Sequence, residues 1–267
     1  MIRQSAVAGS FYAGTCHRLR LQIEDLVPKG VIPEKAVGAV VPHAGYMYSG
    51  RVAAAVYARV EFPETFVILG PNHTGLGAGA AIMTYGQWET PLGRVHIDHE
   101  MGKAILANSS VLEEDHLGHL REHSIEVQLP FLQWTGRSFG FVPICLFSHE
   151  YAVCKEVGQA IAKSVRQSGK EVLIVASTDM SHFVSRDEAA VKDRKAIDAI
   201  LALDPDALHQ VVRREGISMC GFHPTVAMLI AAKALGATRA DLVRYTDSGE
   251  VTRNLDEVVA YAGLLVQ

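Results

Sequence analysis

The sequence predicts a single α/β domain over residues 1–267, with a central, largely parallel mixed sheet flanked by helices. Two observations carry this expectation. Short β-branched runs alternate with longer helical patterns, as in βαβ units. The runs VGAVV (37–41), FVILG (66–70) and VLIVA (172–176) are apolar at consecutive positions, as strands covered on both faces are. No repeat, low-complexity tract or long Pro/Gly/Ser linker divides the chain.

Strands are predicted at Val37–Pro42, Thr65–Leu69, Ala80–Tyr85, Arg94–Ile97, Ser138–Ile144, Glu171–Ala176, Ala240–Tyr245 and Val258–Val266. Helices are predicted at Cys16–Leu26, Ser49–Arg59, His99–Ala107, Tyr151–Gln167, Arg186–Leu201 and Pro224–Leu235. Ser49 is a candidate cap for the second helix and Gly236 a terminator for the last. Asp204-Pro205 opens a further short helix, with Pro where its missing N–H costs little.

Hydrophobic residues make up 49% of the chain and charged ones 20%, which separates it from disordered and fibrous sequences. The net charge of −4 contains no block of like charges, so neither nucleic acid nor a membrane surface is an expected partner. No run approaches the roughly 20 apolar residues of a membrane-spanning helix. The opening MIRQSAVAGSFYAG has no signal-peptide core. Cys16, Cys145, Cys154 and Cys220 show no Cys-x-x-Cys spacing and form neither a disulfide framework nor a zinc ribbon. A reduced, cytoplasmic protein is expected, its cysteines free for packing or metal ligation.

Three predicted strands run into polar turns: Val41-Pro42-His43-Ala44-Gly45, Gly70-Pro71-Asn72-His73, and Ser177-Thr178-Asp179-Met180-Ser181-His182. Ligands of open α/β sheets bind beyond the carboxyl ends of strands. Proline ends ladder pairing there and sets the angle at which the imidazole leaves the sheet. His43 and His73 are therefore candidate metal ligands, since two imidazoles and an anionic ligand on one side of an ion form a common non-haem iron site. Asp179 and His182, three apart, share a cavity if their turn is helical. Asp179 then orients an imidazole or binds the metal, and His182 moves protons. Cys220 precedes a predicted helix whose amides favour a thiolate, or is simply a buried apolar cysteine. His119-Leu120-Arg121-Glu122-His123 also reads as a His-x-x-Glu-His zinc-peptidase pattern, which needs His119 and His123 on one helical face with Glu122 as base. The glycines at 70, 75, 77 and 79 fit a flexible turn, not a nucleotide loop.

Longer motifs then become legible: Pro42-His43-Ala44-Gly45-Tyr46-Met47-Tyr48-Ser49-Gly50, Gly70-Pro71-Asn72-His73, Thr90-Pro91-Leu92-Gly93, Glu122-His123-Ser124-Ile125-Glu126-Val127-Gln128-Leu129-Pro130-Phe131-Leu132 and Cys220-Gly221-Phe222-His223-Pro224, after the opening Ala6-Val7-Ala8-Gly9-Ser10-Phe11-Tyr12. Together they resemble the Memo family, whose microbial members include protein B of the AmmeMemoRadiSam system, over nearly the whole chain. That resemblance implies a class III extradiol dioxygenase-like fold with a metal site at one end. It places the metal ligands on His43, His73 and Cys220, and a polar pair on Asp179 and His182. Within that resemblance His123 and Glu126 line the cavity wall or orient another ligand. A thiolate where the dioxygenases have a carboxylate is softer and favours copper, zinc or iron. It also implies a functional link to radical-SAM and AMMECR-like proteins.

Three functions follow. The first is a non-haem metal protein, redox active with iron or copper (zinc being a further candidate), in which Asp179, His182 and His123 act on protons and substrate. The second is a catalytically silent module binding phosphopeptides or other anions in an imidazole-rich cavity. The third is the zinc peptidase. The ligand is expected to be a small molecule or a peptide, and homo-oligomerisation is compatible with the sequence.

Overall fold

The computed structural model of the chain describes residues 1–148 and 150–267. Four parallel strands form its centre, in the order Gly140–Leu146, Thr65–Pro71, Val172–Ser177 and Gly38–Val41. Gly93–Ile97 adds in parallel beyond the first. Val258–Val266 pairs antiparallel with Gly38–Val41, so the sheet is mixed. Ala240–Asp247 and His182–Val184 pair antiparallel with Val258–Val266. At the other edge Gln87–Thr90 forms a hairpin with Gly93–Ile97 and receives Ile2–Arg3.

Both faces are covered, as the unbroken apolar runs require. On one face Val67, Leu69, Ile174 and Ala176 join a buried cluster with residues of the helices Tyr151–Ser168, Arg186–Leu201, Pro205–Glu215 and Phe222–Ala234. On the other, Phe66, Ile68, Leu173 and Val175 pack with residues of Cys16–Leu26, Tyr46–Ala58 and Leu129–Trp134. Adjacent residues of one strand thus serve opposite cores, because successive side chains point to opposite faces. No helix among the described residues is long and apolar enough to cross a membrane.

All eight predicted strands form, with ends shifted by a few residues. The helix expected to start at Ser49 starts at Tyr46 with Gly45 as its cap, and the Ser49 hydroxyl donates to the Ala44 carbonyl at 2.8 Å. The helix predicted from Pro224 begins at Phe222, which places Pro224 in its first turn. Asp204 accepts from the Ala207 amide and caps Pro205–Glu215 as expected.

Asp98 ties one helix to the sheet. It caps His99–Ala107 through the Met101 amide and accepts from Thr65 Oγ1 at 2.7 Å and Lys170 Nζ at 2.9 Å. Burial opposes ionisation, but the Lys170 and Thr65 bonds outweigh it and hold the carboxyl below its ordinary value. Asp98→Ala should lower unfolding free energy by roughly 2 kcal/mol in urea denaturation, combining a lost cap with lost charge-assisted bonds. The folded pKa lies below the unfolded one, so this stabilisation is complete above the unfolded value and disappears as pH falls through the folded one. The gap between wild type and variant should narrow below about pH 4, and a constant gap down to full acid unfolding contradicts the assignment.

Candidate metal centre

The carboxyl ends of three of the four central strands, Gly38–Val41, Thr65–Pro71 and Val172–Ser177, carry the site. Val172–Ser177 lies between Gly38–Val41 and Thr65–Pro71, so the turns bearing His43 and His73 flank the one bearing Asp179. A fourth segment crosses these ends: after the short helix Leu117–Leu120 the chain runs irregularly through Glu122, His123 and Ser124. Its close approach leaves no room for a side chain at Gly70, where an added Cβ would lie 2.4 Å from Ser124 Oγ. Gly221 admits the Cys220 turn for the same reason, since a Cβ there would meet the Ser177 carbonyl at 2.3 Å.

Three imidazoles converge. One ring nitrogen each of His43, His73 and His123 lies within 4.8 Å of the others, a spacing at which one ion can hold all three. The His73 and His123 rings stack with centroids 4.7 Å apart, and His43 meets both edge-on at 5.2 and 5.4 Å. The outer nitrogens of two rings are engaged. His43 Nδ1 contacts Ser177 Oγ at 2.9 Å, and His73 Nδ1 contacts Glu122 Oε1 at 3.0 Å. Hydrogen-bonding one nitrogen while the other faces inward is how metal-binding histidines are oriented. Cys220 Sγ lies 3.2 Å from His43 Nε2, beside the three-histidine group.

Charge follows the same layout. His43 is buried, and burial, with His123 and His73 adding repulsion, pulls its pKa well below the ordinary value. Its ring is therefore neutral and ready to donate a lone pair. His123 is also lowered, chiefly by burial. His73 is raised, because the bond and charge of Glu122 exceed the effect of burial. Burial works against ionisation of Glu122, yet His73, His123 and the Ser124 amide hold it down at about 2. Cys220 is shifted up by burial and by the Asp179 carboxylate, despite an N–H bond from Asp179 at 3.3 Å. Of the two readings of Cys220, these surroundings favour the thiol over the thiolate.

Asp179 and His182 do line one cavity with the three histidines, but their turn is not helical. Asp179 accepts from the backbone amides of His43 and Ala44 at 2.8 and 3.3 Å, so it holds the His43 turn and not an imidazole ring. Burial raises its pKa to about 6 against those bonds. His182 Nδ1 donates to the Ser218 carbonyl at 2.9 Å, which leaves Nε2 as its free nitrogen. The cavity measures about 600 Å³ and is walled in part by Phe11, Tyr48, Phe183 and Tyr261. A second cleft of about 530 Å³ between Tyr57, Phe62, Phe131 and Trp134 contains none of the expected site residues.

Two further expectations change. Glu126 does not line the cavity: it binds Arg3 Nη1 at 2.6 Å, the Ala6 and Val7 amides and the Tyr12 hydroxyl. The peptidase geometry is absent, because the helix stops at Leu120 and fully buried His119 packs edge-on against Trp88 while His123 joins the other cluster. Glu122, the base of that reading, instead accepts four N–H bonds, from the His73 amide and ring and from the His123 and Ser124 amides. His123 in the imidazole cluster and Glu122 beneath His73 were not separable from the His-x-x-Glu-His pattern by spacing alone. Glu122→Gln should destabilise the fold by roughly 3 kcal/mol, since an amide cannot accept all four donors and loses the charge that strengthens them. A change below about 0.5 kcal/mol in urea denaturation, the range of ordinary surface substitutions, rules that network out as a support of the fold.

Comparison with known proteins agrees with this architecture. The family model for Memo-like proteins matches residues 3–265. A MEMO1 family protein of Methanopyrus kandleri is 45% identical over 280 aligned residues, covering 99% of each chain. Another, from Methanothermobacter thermautotrophicus, is 42% identical and covers 99% of this chain and all of its own. A crystal structure of an uncharacterized Escherichia coli K12 protein shares the fold at TM-score 0.56 and 12% identity, covering 86% of this chain and all of the other. The chain belongs to the Memo-like family.

Proposed function

We propose that this protein holds one transition-metal ion through His43, His73 and His123, with Cys220 beside His43 as a further soft donor, and presents it to a small molecule or peptide in the adjoining cavity. The observation that carries this reading is the convergence of three imidazole nitrogens within 4.8 Å, two of the rings being fixed from behind by Ser177 and Glu122. The donor set fits such an ion: neutral imidazole suits iron, copper and zinc, and a thiol alongside shifts the preference toward the softer ones. Bound iron or copper would supply redox chemistry, the activity we assign to the site, whereas zinc would supply Lewis acidity only.

The chain's own groups divide the remaining work. His182, its Nδ1–H held by the Ser218 carbonyl, accepts or returns a proton at Nε2 on the cavity wall. Asp179 keeps the His43 turn in place through two amides. Phe11, Tyr48, Phe183 and Tyr261 offer apolar surface to an incoming ligand, in a cavity of the size that takes small molecules. We also assign the protein to the cytoplasm and to a functional link with radical-SAM and AMMECR-like partners, on the strength of the family alone.

The test is metal content of untagged protein purified anaerobically, measured by plasma mass spectrometry. Wild type should carry near-stoichiometric iron or copper. His43→Ala and His123→Ala should lose it, Cys220→Ala should bind it more weakly, and His119→Ala should leave content unchanged in whatever fraction folds. A folded wild type that neither carries metal nor takes it up on reconstitution refutes the metal reading and leaves an anion-binding module as the better account.

A further inference from the structure

Behind His43 lies a buried hydrogen-bond chain in which each proton has one place to go. The amide nitrogen of fully buried Gln128 donates to the Pro42 carbonyl at 3.0 Å and to Ser177 Oγ at 2.9 Å. Its amide oxygen accepts from the Tyr57 hydroxyl at 2.9 Å. A carbonyl can only accept, so reversing the amide would set two oxygens face to face at Pro42, and the orientation is fixed. Gln128 therefore cannot take the Ser177 proton.

Ser177 Oγ is also buried and has two other neighbours, the Ser124 carbonyl at 2.6 Å and His43 Nδ1 at 2.9 Å. The Ser124 carbonyl, again only an acceptor, takes the single hydroxyl proton. The Ser177 oxygen keeps two lone pairs, one filled by Gln128 and the other facing His43 Nδ1. A bare Nδ1 there would bring two lone pairs together in a site closed to water, so the proton of a neutral His43 ring belongs on Nδ1.

We propose that Ser177 is a positioning residue that locks His43 in its Nδ1–H tautomer, with Gln128 closing the competing route for the hydroxyl proton. The lock leaves Nε2 unprotonated with its lone pair toward the cluster, where Cys220 Sγ lies 3.2 Å away. Its consequence for the metal rests on the reading of the site as a metal centre. A ligand that occupies the binding-competent tautomer all the time loses no affinity to the other one.

The tautomer can be read without metal. Long-range proton–nitrogen spectra of metal-free protein labelled at histidine, with the ring neutral and His43 assigned by its loss in His43→Gln, should show Nδ1–H for His43. Ser177→Ala should move the ring to a mixture or to Nε2–H and weaken Zn²⁺ binding about 10- to 100-fold, the usual cost of losing a group that orients a ligand. Ser177→Thr, which keeps the hydroxyl, should retain the wild-type spectrum and affinity. Wild type in the Nε2–H form overturns the proposal whether or not any variant folds. So does a folded Ser177→Ala protein with the wild-type tautomer. Wild type in the Nδ1–H form that loses it in Ser177→Ala, yet takes up none of Zn²⁺, iron or copper, supports the lock and refutes the metal reading alone.

Discussion

The stretch from Glu122 to Gln128 buries four polar side chains, Glu122, Ser124, Glu126 and Gln128, and the three longer ones each bond a different part of the chain. Glu122 accepts from the His73 turn, Glu126 from the N-terminal segment and Arg3, and Gln128 reaches the Pro42 carbonyl and Ser177. Leaving any one unpaired in this interior would cost several kcal/mol. The stretch can therefore be seated only when the His73 turn, the His43 turn and the N-terminus are all in place. His123 and Ser124 lie within it, so the third imidazole is placed by the same long-range bonds that hold the framework.

The same constraint explains the charge pattern. An ion-binding site needs neutral imidazoles but also something to hold them. Glu122 holds His73 from a side that keeps the carboxylate among N–H donors, and this is why it stays ionised though 1% exposed. Asp179 contributes in the opposite sense. Its carboxyl is spent on two backbone amides, so the second acid of the site shapes the turn that delivers His43. Neither carboxylate has to serve as a ligand for the cluster to be assembled.

Much of the fold was legible because it depends on local apolar period. The three fully apolar runs became the centre of the sheet, and the helices Cys16–Leu26, His99–Ala107 and Arg186–Leu201 formed over the residues their patterns mark. The strands not foreseen, Ile2–Arg3, Gln87–Thr90, Glu113–Glu114 and His182–Val184, are four residues long or shorter and owe their pairing to tertiary neighbours. His43 and His73 were legible because each follows an apolar run and a proline. His123 was placed at the cavity by the resemblance alone and not as a third imidazole of the cluster, since its position depends on an irregular crossing held by long-range bonds. The His-x-x-Glu-His pattern misleads for a physical reason: two residues share a helical face only while the helix continues, and this one ends between them.

The three imidazoles are also held unequally, which bears on how the site responds to its surroundings. His43 is buried and gripped through a hydroxyl, and His73 is tied to a carboxylate. His123 Nδ1 is 3.4 Å from Glu122, and its ring stacks on His73 and meets Phe11 at a tilt, each at a centroid distance of 4.7 Å. Phe11 belongs to the segment that Glu126 anchors through Ala6, Val7 and Tyr12. The ring of His123 is thus positioned in part by packing against Phe11 of the N-terminal segment. A buried acid more than 100 residues away in sequence from the segment it grips therefore acts on the cluster through one aromatic contact. That chain of dependence, from Glu126 to the N-terminal segment to Phe11 to His123, makes the opening residues part of the site as much as the strand ends are.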